Sequence, residues 1–205
     1  MEKELIFSLL ALIILGVNTV VYWKGIFRGE IIPHPFTQFI WVIVLAITSI
    51  ELIQRNELLG AIPSIFLTID IFCALLVGIY LWKKIVINWM DYFFLISGIL
   101  LIAYWQYEPE YRYVLLVMIG IDACAYAASF KKAWFQPNTE NSLPYFISVG
   151  NNICTIFALY VWSFENMGMA AWTAGVNFTF ACFILLRQRY AQKHSSRLAK
   201  KQIHI

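Results

Sequence analysis

Asp70 stands near the middle of an apolar run that extends from about Leu58 to Trp82. In a bilayer core an ionised carboxylate costs several kcal/mol unless it is paired, hydrated or protonated. An acid at that depth reads as a functional site for a cation or a proton. Asn177 lies at a comparable depth in the run from about Met167 to Leu186. Asp122 lies in a third run, with Tyr126 and Ser129 four and seven residues further on, so the three share one helix face. That face is either a second pocket acid or proton site, or a structural bond to Tyr126 or to Asn18 and Tyr22 of the first apolar run. Asn151 and Asn152 are adjacent and point about 100° apart, so at most one faces a shared pocket. For that one the competing role is an interhelical hydrogen bond. Trp41, like Tyr160 and Trp162, would stack on a ring-shaped solute or serve as packing or interfacial belt. The candidate substrate-binding set is therefore Asp70, Asn177, Asp122, Asn151, Asn152, Trp41 and Tyr126.

These residue types bind solutes and hold protons, and nothing beside them points to bond-making chemistry. There is no HExxH, no GxSxG and no Ser–His or Cys–His pairing within the apolar runs, so the chain does not read as an enzyme. His34, His194 and His204 fall outside the runs without metal-ligand spacing. Cys73, Cys124, Cys154 and Cys182 fall inside them and read as small buried hydrophobes. No metal and no cofactor is expected. Nucleic-acid binding has no support, because the basic residues border a membrane and no soluble module is present.

The elements that must position these residues follow from composition. Of the 205 residues 61% are hydrophobic and 13% charged, against about a quarter charged in soluble domains. The apolar residues come in blocks close to the roughly 20 residues that cross a hydrocarbon core. Seven helices are predicted, over about Leu5–Trp23, Phe36–Ile53, Leu58–Trp82, Ile85–Gln106, Tyr111–Phe130, Ser142–Phe164 and Met167–Leu186, with Pro109 breaking the chain between the fourth and fifth. The first, MEKELIFSLLALIILG, reads as a retained helix, since Asn18, Tyr22 and Trp23 follow it and no A-x-A cleavage site does. Counted on alternate sides, one side carries Lys24, Arg28, Lys83, Lys84, Lys131, Lys132 and six basic tail residues. The other carries Lys3, Arg55 and Arg112, and twelve against three makes the first side cytoplasmic. The N-terminus is then outside and the C-terminus inside. Trp23, Trp82, Trp89, Trp105, Trp134 and Trp162 lie near span ends as a belt would. Asp91 sits at the start of the fourth helix, where an acid caps and suits the dipole.

Residues 131–147, KKAWFQPNTENSLPYFI, echo residues 24–40, KGIFRGEIIPHPFTQFI, at an offset of 107. Lys24 meets Lys131, Phe27 meets Trp134 and Phe39 meets Phe146, and helices fall into register on both sides. The same offset pairs Asp70 with Asn177. The chain thus divides into a three-helix repeat (1–84), a linker helix (85–107), a second three-helix repeat (108–187) and a basic tail (188–205). One linker helix between units of three makes the repeats parallel. The fold class is all-α integral membrane: seven transmembrane helices, two parallel three-helix repeats and a linker, 3+1+3. The tail places Arg189, Lys193, Arg197 and Lys201 at four-residue intervals, as a positive-inside anchor or a face for anionic lipid.

A 3+1+3 chain of this length and orientation resembles the SWEET sugar transporters and the wider PQ-loop superfamily. The proline that ends the first helix of each repeat in PQ-loop proteins has no counterpart around Val21 and Ala128. The segments PHPFTQFIW and KKAWFQPNTENSLPYF look more like those of small bacterial membrane proteins, which implies the bacterial inner membrane. The resemblance also implies a role for one pair, since an asparagine in the third helix of each SWEET repeat lines the central sugar site, and Asp70 and Asn177 match that place. An acid replacing one amide departs from the pattern and admits a cationic or proton-coupled solute. The function expected is a transporter of a small polar solute, with or without a coupled proton. The alternative is a membrane binding, sorting or regulatory protein, because receptors that retrieve escaped endoplasmic-reticulum proteins resemble the same fold. One chain holding both repeats would enclose a pocket as a monomer, and homo-oligomers stay open.

Overall fold

The computed structural model describes the backbone of residues 2–85, 87–105 and 111–203, and the side chains of these except at 101, 105, 111–114 and 194–203. Gln106, Pro109 and His204, and the side chains of Trp105, Arg112, His194, Arg197, Lys200 and Lys201, lie outside the described residues. The protein is all-helical, 87% helix with no strand among the described residues. The helices are α1 (Glu2–Phe27), α2 (Pro35–Gln54), α3 (Leu58–Tyr80), α4 (Trp89–Trp105), α5 (Tyr111–Phe135), α6 (Ser142–Phe157) and α7 (Phe164–Ile203). Four of them, α1, α2, α3 and the Phe164–Lys193 part of α7, are long and apolar enough to cross a membrane. Large apolar side chains such as Leu9, Ile13 and Val20 of α1 and Phe66, Ile69 and Phe72 of α3 face outward. An exterior of that kind is compatible with insertion in lipid.

Local chemistry explains the helix ends. Pro35 opens α2 at a position where a missing N–H costs nothing, with His34 as the residue before it. Asn141 stands at the same place before α6, and its Oδ1 accepts from the Leu143 N–H at 2.9 Å. Pro63 in α3 removes the N–H that would bond to the Leu59 carbonyl. Ser8 of α1 supplies the missing donor, its Oγ lying 2.8 Å from that carbonyl. A helix defect is thereby turned into an α1–α3 contact.

Several boundaries differ from the sequence expectation: α1 runs to Phe27 and α5 to Phe135, past Trp23 and Phe130, α7 starts at Phe164, before Met167, and three others differ as follows. Helix α6 ends at Phe157 and not near Phe164, because the N–H groups of Tyr160 and Val161 turn to donate to the Glu57 carboxylate, at 2.8 and 3.0 Å. Its 16 residues span roughly 24 Å at 1.5 Å each, less than the roughly 30 Å of a hydrocarbon core. Helix α7 continues far past Leu186, since Gln188 donates to the carbonyls of Pro137 and Glu140, at 3.0 and 2.8 Å, and holds the extension against that loop. Helix α4 begins at Trp89, after a single tight turn over Trp82–Lys84.

Packing follows a simple pattern. α3 touches α1 and α2, while α7 touches α5 and α6. Across the chain's midpoint α1 packs on α6, and α2 packs on α5. The largest buried cluster, Ile40, Val44 and Ile47 of α2 with Leu115, Met118 and Ile121 of α5, fills the α2–α5 seam. Tyr126 and Ala133 of α5 with Phe180 and Ile184 of α7 form a second cluster beside it.

Candidate functional site

A cavity of about 90 Å³ opens among α1, α2, α3, α5, α6 and α7. Water needs roughly 10–15 Å³ on the same measure, so the space holds several waters or one small solute. Its walls carry the acids Asp70 and Asp122, the amides Asn18, Asn152 and Asn177, and the hydroxyls of Ser148 and Thr173. Trp41, Tyr22, Tyr126 and Tyr145 supply the aromatic surface.

Asp70, Asp122, Asn177, Asn18 and Ser148 are each held by a helix other than their own, whereas Asn152 and Thr173 bond back to the Ser148 and Met169 carbonyls of theirs. On the first side, Trp23 of α1 donates its indole N–H to Asp70 Oδ1 at 2.7 Å, and Thr19 donates its hydroxyl to Oδ2 at 3.2 Å. On the second, the Tyr126 hydroxyl of α5 donates to Asn177 Oδ1 at 2.8 Å. Thr19 and Asp70 are separated from Tyr126 and Asn177 by the same 107-residue offset. The two hydrogen bonds therefore occupy matching places in α1–α3 and α5–α7. Asp122 has no such counterpart and accepts from the Trp172 indole N–H at 2.7 Å. Between the two sides, Asn18 Nδ2 donates to Ser148 Oγ at 2.9 Å, while Asn18 Oδ1 is buried with no hydrogen-bond partner.

No basic side chain among the described residues is paired with either acid of the site. The ion pairs Lys131–Asp91 and Lys132–Glu140, and the approach of His34 Nε2 to Asp91, include neither Asp70 nor Asp122. Among the described residues, no Lys, Arg or His stands on the cavity wall. Among the described residues, no group of three or more His, Cys, Asp or Glu is placed to hold a metal ion.

Six of the seven predicted residues, Asp70, Asn177, Asp122, Asn152, Trp41 and Tyr126, meet at this cavity. Trp41 packs edge-on to Tyr126, with ring centroids 5.1 Å apart. Asn151 is not on its wall: it is 5% exposed and lines an adjoining cavity of about 60 Å³ that shares Asn152, Met169 and Thr173 with the first. Adjacent residues diverge on a helix, and here Asn152 takes the central wall. Ser129 also leaves the shared face, its hydroxyl donating to Thr37 at 3.3 Å.

Sequence reasoning missed the two tryptophans that hold the acids. Trp23 had the look of an interfacial belt residue, and Trp172 carried no expectation. The signal was present, since a Trp N–H away from water needs an acceptor and the nearest intramembrane acceptors are the acids.

Polar ties stand at both ends of the helix bundle. At one end Lys132, 5% exposed, donates to Glu140 Oε1 at 2.8 Å and to the Ile32 carbonyl. Glu140 Oε2 in turn accepts from the Tyr145 hydroxyl at 3.2 Å, which connects this tie to the cavity wall. Lys131 pairs with Asp91, which also accepts from the Asn88 N–H at 2.8 Å, so Asp91 both caps α4 and anchors α5. His34 Nε2 lies 3.5 Å from the same carboxylate. At the other end Glu57, 2% exposed, gathers the Tyr160 and Val161 N–H groups and Asn166 Nδ2.

No protein-family model, no curated protein and no solved structure matches this chain. The resemblance to the SWEET and PQ-loop proteins read from the sequence has no support from these comparisons.

Proposed function

We propose that this protein is a membrane transporter that moves a small polar solute by alternating access. Its two parallel three-helix bundles, residues 1–84 and 108–187, rock about the central cavity, and residues 85–107 serve as the linker. The observation that carries the reading is a polar cavity at the seam of two similarly packed helix groups. Exchanging α1, α2 and α3 for α5, α6 and α7 maps the α1–α3, α2–α3 and α1–α6 contacts onto α5–α7, α6–α7 and α2–α5. It also maps the Thr19–Asp70 bond onto the Tyr126–Asn177 bond. A pocket used only for packing has no need of two intramembrane acids.

Access at one end requires parting Lys132 from the Ile32 carbonyl, and at the other releasing the α6–α7 connection from Glu57. We place the Lys132 end in the cytoplasm of a bacterial cell and the N-terminus outside, on the bias of basic residues. The test is flux of labelled amines, sugars, nucleosides and amino acids into vesicles reconstituted with the purified chain. At least one solute should enter, and Asp70→Asn and Asn177→Ala should slow it. A solute that binds the protein and enters no vesicle would replace the transporter with a receptor.

A further inference from the structure

The chemistry of the cavity wall selects the solute by charge and by hydrogen-bonding type. Among the described residues, its ionisable side chains are two carboxyls and three phenols, with no basic group. The nearest lysines in the second half, Lys131 and Lys132, are committed to Asp91 and Glu140. A carboxylate offers about four lone-pair sites, and the protein donors described for Asp70 are one indole and one hydroxyl. Asn18 Oδ1 is a further acceptor, on a residue 9% exposed, and it is buried without a donor. Asp70 and Asn18 thus keep acceptor capacity that no described donor fills, and a ligand that completes the site brings hydrogen-bond donors, which on an organic cation are N–H groups. Trp41, Tyr22, Tyr126 and Tyr145 add ring surface of the kind that attracts a cation when water is excluded.

We infer that the cavity binds a small organic cation bearing N–H donors, a protonated amine or a guanidinium, and discriminates against anions, neutral amides and quaternary ammonium ions. This rests on the reading of the cavity as the solute site, but binding of the cation does not depend on its being carried.

The experiment is thermal unfolding of the purified full-length protein with propylammonium, propylguanidinium, tetramethylammonium, propionate and propionamide, each at matched ionic strength. A ligand that binds the folded state raises Tm by mass action. Propylammonium or propylguanidinium should give a saturable rise and the other three none. The apparent affinity should fall about 10-fold or more in Asp70→Asn and in Asp122→Asn, as expected for loss of a charge-assisted bond. It should rise in Asn177→Asp, which keeps the acceptor for Tyr126 and adds a charge. Should the Asn variants fail to fold, the order of the five probes on the unaltered chain still decides. An equal or larger rise with propionate, propionamide or tetramethylammonium overturns the inference, as does no rise with either N–H cation, or a rise that survives in both Asn variants. Vesicle flux separates this from the transport reading. Cation binding without flux removes the transporter and keeps the cation site, whereas flux of a neutral or anionic solute, with no Tm response to the cations, does the reverse.

Discussion

Residues 25 and 132 occupy the same place in the two halves of the molecule, the last turns of α1 and α5, and they close that corner in opposite ways. At Gly25 the chain packs on itself, with Ile31 Cδ1 2.5 Å from where a Cβ would stand and the Gly25 carbonyl accepting from the Glu30 and Ile31 N–H groups. At Lys132 the corner is closed by a buried ammonium shared among Glu140, the Thr139 carbonyl and the Ile32 carbonyl of the other half. A packed corner is fixed, whereas a charged one exchanges partners when water reaches it. The cavity repeats this inequality, since Asp70 of the first half faces Asn177 of the second. Positions matched by the 107-residue offset thus carry ionisable groups at different places in the two halves.

The largest effect is expected where the charged corner is broken. Lys132→Met should leave Glu140 buried and unpaired and destabilise the protein by about 3–5 kcal/mol, seen as a fall in Tm. The double variant Lys132→Met/Glu140→Met should recover much of that loss, because no orphaned charge remains. If the single variant unfolds at the temperature of the unaltered protein, the corner is not held by this pair.

Next in size is the asymmetry of the cavity. Asp70→Asn should weaken binding of the N–H cation about 10- to 100-fold, the loss of one charge-assisted hydrogen bond. The swap Asp70→Asn/Asn177→Asp should regain a large part of it, measured by the same Tm titration. No regain would mean that the two matching places do not face one ligand.

The smallest effects separate the matching hydroxyls. Tyr126→Phe leaves the buried Asn177 Oδ1 without its donor and should cost about 1–3 kcal/mol. Thr19→Val should cost only about 0.5–1.5 kcal/mol, because Asp70 keeps the Trp23 bond. Equal losses in chemical unfolding would show that the two bonds are not differently supported.

Much of the frame was legible in the sequence, and the reasons for the rest are physical. Apolar length announced the helices, and the 107-residue offset brought Asp70 and Asn177 to one cavity. The end of α6 was hidden because Glu57, about a hundred residues away in sequence, captures the backbone of Tyr160 and Val161. Lys132 counted as an ordinary flanking charge because nothing local shows that Glu140 folds back over it. The extension of α7 past Leu186 was hidden because the Pro137 and Glu140 carbonyls that hold Gln188 lie about fifty residues away in sequence. Asn151 and Asn152 could be divided between two places by helix geometry, but only neighbouring helices decide which faces the cavity.

The most direct test of alternating access needs no knowledge of the solute. With Cys73, Cys124, Cys154 and Cys182 replaced by Ala, Ser148→Cys puts a thiol on the cavity wall, to be probed by a membrane-impermeant methanethiosulfonate in right-side-out and inside-out vesicles. The account predicts labelling from both sides, with Lys132→Met raising the rate from the side that bears the Lys132 corner. Labelling from one side alone, unchanged by opening either end, would contradict it and leave a one-sided binding pocket.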